Sequence, residues 1–148
     1  MAIPDKLSDT LEALSHLRDR SERIQALIDL SEGFEEVPPR IARRPFSSLN
    51  EVPACESEAY MFEERLPDGT LAFHFAVENP QGVSARALAK ILGGALSGAP
   101  PEQVAEVQPD VIYQIFGNEL SMGKSMGLLG MVGMVQAGAK RLLEQRSR

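Results

Sequence analysis

The sequence predicts an α+β fold, a small antiparallel sheet packed with helices, and three observations predict it. Segments with apolar residues at helical spacing occupy both ends of the chain. Between them lies one pair of alternating runs joined by a tight turn. Strand-like runs do not alternate with helical ones, so parallel crossovers are not expected. The 148 residues suit one domain, 1–148, and a chain of that size buries about 70% of its unfolded surface without staples.

Leu7, Leu11 and Leu14 mark a short first helix. Asp19 with Glu22 three residues on resembles a capping box, and Ile24, Leu27, Ile28 and Ser31 form the expected inner stripe of a second helix ending near Gly33. From Phe34 to Cys55 the periodicity dissolves, with Pro38, Pro39, Pro45 and Pro53 as punctuation. A structureless segment this long is uncommon in a compact domain and often functional. Ser57–Leu66 and Leu71–Glu78 read as two strands around Pro67-Asp68-Gly69-Thr70, whose Asp-Gly pair suits a tight turn. Leu71, Phe73, Phe75 and Val77 then share one face and His74 the other.

Ser84 is the expected cap of the next helix, with Leu88, Ile91, Leu92, Ala95 and Leu96 as its buried stripe. A short helix over Glu102–Val107 is broken by Pro109, and Val111–Phe116 forms another, stopped at Gly117. The final helix starts near Ser121 and runs past Leu143, with Lys140, Arg141 and Arg146 in its last turns, where cations suit the dipole.

Hydrophobic residues make up 43% of the chain, with no tryptophan, so the core must be aliphatic and methionine-rich. A net charge of −6 argues against a nucleic-acid partner. One cysteine forms no internal disulfide, so no oxidising compartment is implied. The N-terminal segment lacks the apolar run of a signal peptide. Met126–Val135 is broken by glycines and falls short of the roughly 20 residues a membrane span needs. These features predict a cytoplasmic protein without membrane attachment.

Cys55 ends the long irregular segment and opens the first strand. Free cysteine most often serves as a small buried hydrophobe. Pro53, Glu51, Glu56 and Glu58 point instead to an accessible loop. Those carboxylates disfavour a thiolate by like charge, unless Arg40, Arg43 and Arg44 fold back to offset them. The expected behaviour is a sluggish nucleophile that becomes reactive inside a partner's site.

Ala54-Cys55-Glu56-Ser57-Glu58-Ala59-Tyr60 is similar to the Gly-Cys-x-Ser-x-aromatic motif of the SufE family. Leu120-Ser121-Met122-Gly123-Lys124-Ser125-Met126-Gly127-Leu128 resembles that family's Leu-(Thr/Ser)-x-x-Arg-Ser-x-Gly-Leu run, and Ile28-Asp29-Leu30 with Glu35-Glu36-Val37-Pro38 resembles its second helix and exit. The resemblance implies a SufE/IscU-like fold and a carrier that activates a SufS-type cysteine desulfurase. Such a carrier accepts persulfide sulfur and delivers it to the SufBCD iron–sulfur scaffold. It implies Cys55 as acceptor, and Ala54, Glu56, Ser57, Tyr60, Lys124, Ser125 and Gly127 as supporting or partner-facing residues. No cofactor belongs to the chain itself; pyridoxal phosphate is the partner's. Ala54 stands where relatives carry glycine, which restricts positive φ. Lys124 replaces arginine and loses its planar fork.

Other chemistries have weaker signals. Asn118–Ser125 lacks the leading glycine of a phosphate loop. His16 and His74 are the only histidines, so a cysteine hydrolase or thiol peroxidase needs one of them beside Cys55 in space. One cysteine and two scattered histidines lack metal-ligand spacing, and a cluster scaffold needs several thiolates. Met122, Met126, Met131 and Met134 are expected as core fillers of a close-packed last helix.

Overall fold

The computed structural model describes residues 2–118 and 120–147, so Glu119, within the phosphate-loop-like run, lies outside the described residues. Among the described residues, six α-helices, two strands and a 3-10 turn (Ser48–Asn50) follow the chain: α1 (Asp5–Ser15), α2 (Arg20–Glu32), β1 (Ala59–Arg65), β2 (Leu71–Val77), α3 (Val83–Leu96), α4 (Pro101–Val104), α5 (Val111–Phe116) and α6 (Met122–Arg146). The architecture is α+β, a two-stranded antiparallel sheet with helices on one side.

The hairpin forms where the alternation and the turn residues place it. Ala59 lies opposite Val77 and Arg65 opposite Leu71. Gly69 takes φ 87° in the turn. The Asp68 carboxylate accepts from the Thr70 N–H at 2.9 Å and the Thr70 hydroxyl at 2.6 Å. Phe73, Phe75 and Val77 enter the main core with Met61 from β1, Leu88, Leu92 and Leu96 from α3, and Met131, Val132 and Val135 from α6. The helix α3 is the central post, packed against α1, α2, β2 and α6.

The sheet's second face is also covered. Ala72 and Ala76 are buried like their neighbours on the first face. Val37, Phe62 and Ala76 form a second small cluster with Ile41, Ala42, Phe46 and Tyr60. The irregular segment after α2 therefore packs as a cover, started by a hydrogen bond from Val37 N–H to Phe75 C=O at 2.8 Å. Arg44 fastens it, bridging Glu36 and Glu78 and lying 4.9 Å over the Phe46 ring. His74, expected to face outward, is half-buried under this cover and bonded to Glu64 at 2.9 Å.

Four local expectations are corrected. The stripe of α2 is rotated, with Leu27 buried and Ile24 exposed. Arg23 turns inward instead, donating to the carbonyls of Leu14, Gln114 and Ile115 at 2.9–3.0 Å. The cap of α3 is Gly82, and Ser84 lies inside the first turn without capping it. The helix α4 ends at Val104, short of Val107. Of the methionines of α6, Met131 is buried, whereas Met122 and Met126 are exposed. The last helix starts next to Ser121 as expected, and Ser121 caps it, accepting from the Lys124 N–H at 3.3 Å.

Candidate functional site

The segment from Val52 to Ala59 closes on itself through a Val52 N–H to Ala59 C=O bond of 2.8 Å. Glu51, bridged to Tyr60, extends that neck. Within the loop, Glu58 N–H donates to Cys55 C=O at 3.1 Å, turning the chain directly after the cysteine. Its far edge is stitched to the end of β2, where Glu78 and Asn79 N–H donate to the carbonyls of Glu58 and Ser57, each at 3.1 Å. Arg86 of α3 braces that edge from behind, donating at 3.3 Å to the carbonyls of Val77 and Asn79.

Among the described residues, the non-glycine positions with positive φ are Ala54 at 56° and Glu58 at 52°, and both lie in this loop. A left-handed conformation costs an L-residue about 1–2 kcal/mol. Ala54 therefore holds the conformation that its departure from glycine makes costly, immediately before the cysteine.

The loop lies on a face of the first turns of α6 that is made of glycines. A Cβ on Gly127 would stand 2.9 Å from Cys55 Cα and 3.2 Å from its Sγ. A Cβ on Gly130 would stand 3.2 Å from the Pro53 carbonyl oxygen, and one on Gly123 would collide with the Glu56 carboxylate. Positions 123, 127 and 130 share one helical face. Only glycine lets the loop approach this closely, so Gly127 is fixed by contact with the thiol-bearing residue.

Cys55 is half-buried, packed on the edge of the main core and open to two depressions. One is shallow and lined by Ser48 and the 51–56 stretch. The other is a cleft of about 350 Å³ between the loop, the first turn of α3 and the first turns of α6. It includes Ser57, Gly82, Ser84, Lys124 and Gly127. Two helix N-termini thus open on one cleft, that of α3 without a side-chain cap. Their positive ends and the exposed Lys124 favour negative charge there, opposed by the Glu56 carboxylate that also lines the cleft.

The structure gathers most of the residues singled out in the sequence. Ala54, Glu56, Ser57, Lys124 and Gly127 line the depressions with Cys55, whereas Ser125 is buried and lines neither. Tyr60 is not brought to the cleft; its ring packs at a tilt of 50° against Phe46, with centroids 5.2 Å apart. Burial first, then Glu51, Glu78 and Glu58, raises the pKa of its phenol. Arg40 and Arg44 do not fold back on Cys55, being engaged by Glu64 and by Glu36 and Glu78. Neither histidine lines either depression. His74 pairs with Phe62, three ladder steps from the Ala59–Val77 end, and bonds to Glu64. Among the described residues no group of three or more His, Cys, Asp or Glu is placed to hold a metal ion. No helix there is long and apolar enough to cross a membrane. Sequence reasoning missed Gly82, Gly123, Gly130 and Arg86. The spacing of Gly123, Gly127 and Gly130 was a readable signal; the role of Arg86 was not.

No curated protein matches the chain. Among solved structures, a hypothetical protein from Thermus thermophilus, determined in solution, is similar in fold with a TM-score of 0.72 at 23% identity, covering 96% of this chain and 98% of the other. The family model described as SufE, Fe-S metabolism associated domain, matches residues 8–139, a span that includes the Cys55 loop, the hairpin and most of α6. On that match the chain belongs to the SufE family, and its place is in iron–sulfur metabolism.

Proposed function

We propose that this protein is a cytoplasmic sulfur carrier that receives persulfide sulfur on Cys55 from a SufS-type cysteine desulfurase, stimulates that enzyme, and passes the sulfur to the SufBCD scaffold. The observation that carries the reading is the single cysteine, held on a strained loop at the mouth of a cleft onto which two helix N-termini open. The Cys55 thiolate attacks the outer sulfur of the donor's persulfide. The donor's sulfur–sulfur bond breaks, its electron pair leaves with the donor thiolate, and a new sulfur–sulfur bond forms on Cys55. No oxidant or reductant is consumed. The terminal sulfur so formed is anionic when deprotonated, and the helix ends with Lys124 supply the field that suits it.

The test is intact mass after incubation with the desulfurase, its pyridoxal phosphate and L-cysteine. The wild-type chain is expected to gain one sulfur atom that reductant removes. Cys55→Ser is expected to gain none while keeping its stability to within about 1 kcal/mol, since the thiol is only half-buried. An adduct retained in Cys55→Ser, or none in wild type, would refute the carrier.

A further inference from the structure

We propose that Leu49, Val83, Met122 and Met126 form the docking face for the sulfur-donor protein, an inference that rests on the reading of Cys55 as sulfur acceptor. Among the described residues the exposed large hydrophobics are Leu49 at 90%, Met122 at 80%, Met126 at 51%, Ile24 at 47% and Val83 at 40%. A solitary exposed apolar side chain is ordinary on a protein surface; a cluster of them is not. Four of these five flank the Cys55 loop. Leu49 lies in the chain between Ser48 and Glu51, which both line the shallow depression. Val83 lines the cleft on the opposite side of the thiol. Met122 and Met126 precede Gly123 and Gly127, the glycines against which Glu56 and Cys55 pack.

The chemistry identifies what covers this face. Thiol exchange requires the two reacting sulfurs to touch, so a protein that donates sulfur must bring its own surface over Cys55 and onto its surroundings. Leu49, Val83 and the two methionines are what that surface meets. Unbranched methionine side chains repack readily against an incoming surface. The exposed carboxylates of Glu51, Glu56 and Glu58 edge the same patch. The donor is therefore a protein whose reactive cysteine stands in an apolar patch with basic residues beside it.

The test compares two donors on the full chain: a SufS-type desulfurase with L-cysteine, which must dock, and glutathione persulfide, which needs no docking. In the double variant M122S/M126S, KM for loading by the desulfurase is expected to rise about tenfold or more, the scale of losing interface anchors. Loading by glutathione persulfide is expected to stay within about twofold, because the exchange step itself is untouched. L49S is a second variant, next to Ser48 in the chain, expected to act in the same direction. I24S, on the remaining exposed hydrophobic, is the control expected to change neither rate. An unchanged KM in both M122S/M126S and L49S overturns the inference. Equal slowing with both donors also overturns it, since the side chains would then act on the thiol and not on docking. A wild-type chain loaded by neither donor brings down the carrier reading itself, and the docking face with it.

Discussion

At one end of β1 the chain reverses through Pro67–Thr70, and at the other it bends through Val52–Glu58. Both bends rest on α6. Arg146, near the last turn of that helix, bonds to the Gly69 carbonyl, while Gly127, in its second turn, lies under Cys55. The turn at 67–70 is made of residues that prefer its geometry: glycine holds the positive φ, and Asp68 accepts two hydrogen bonds from Thr70. The loop at 52–58 puts alanine and glutamate where glycine would be at ease. It is held by outside braces, namely the end of β2, Arg86 and the bare face of α6. Strain that persists against local preference is maintained by its surroundings, and such strain gathers at functional sites. The contrast teaches that β1 has one end built for stability and one end held under tension beside a thiol.

The largest expected effect comes from removing the floor under the tense end. Gly127→Ala places a methyl 2.9 Å from Cys55 Cα, so the loop must lift. Overpacking of this kind costs about 1–3 kcal/mol, read from the urea midpoint. Lifting also exposes the thiol, and iodoacetamide is expected to alkylate Cys55 faster than in wild type. An unchanged midpoint together with an unchanged alkylation rate would show that the loop does not depend on the helix.

A pair of opposite exchanges probes the two ends with the same chemistry. Gly69→Ala is expected to destabilise by about 1–2 kcal/mol, as an L-residue forced to positive φ. Ala54→Gly is expected to change stability by less than about 1 kcal/mol in the favourable direction, because relief of strain is partly offset by a freer unfolded chain. Equal and unfavourable shifts in both variants would erase the contrast between the ends.

The smallest effect concerns the strand between them. A hydrogen bond from Arg40, then one from His74, pulls the Glu64 pKa down to about 2 from 4.5. A carboxylate lowered on folding contributes stability that is fully present above its unfolded pKa and lost as pH falls through the folded one. The window thus runs from about pH 4.5 down to about 2. Glu64→Gln is expected to flatten the fall in stability across that window in pH-dependent urea titrations. It is expected to leave Cys55 alkylation unchanged, since Glu64 belongs to neither bend. A titration curve matching wild type would remove Glu64 as the cause.

Much of this was legible in the residues. The hairpin and its turn, the apolar stripe of α3 and the start of α6 near Ser121 all carry local signals that the fold keeps. The cover over the second sheet face did not, because Val37, Ile41, Phe46 and Tyr60 act through tertiary packing with no periodicity to announce it. The rotation of α2 was hidden because an arginine, Arg23, faces inward to satisfy carbonyls of two other segments. The methionines of α6 divide between core and surface, a division that depends on where the Cys55 loop crosses the helix, and composition cannot convey it.

The chain contains no second cysteine. On the proposed role, a sulfur atom carried by Cys55 would have no internal thiol to close upon and would not be cast off as hydrosulfide through ring formation within the molecule. Encounters with outside thiols would then decide how long such cargo lasts, and loading and unloading would take turns at one doorway.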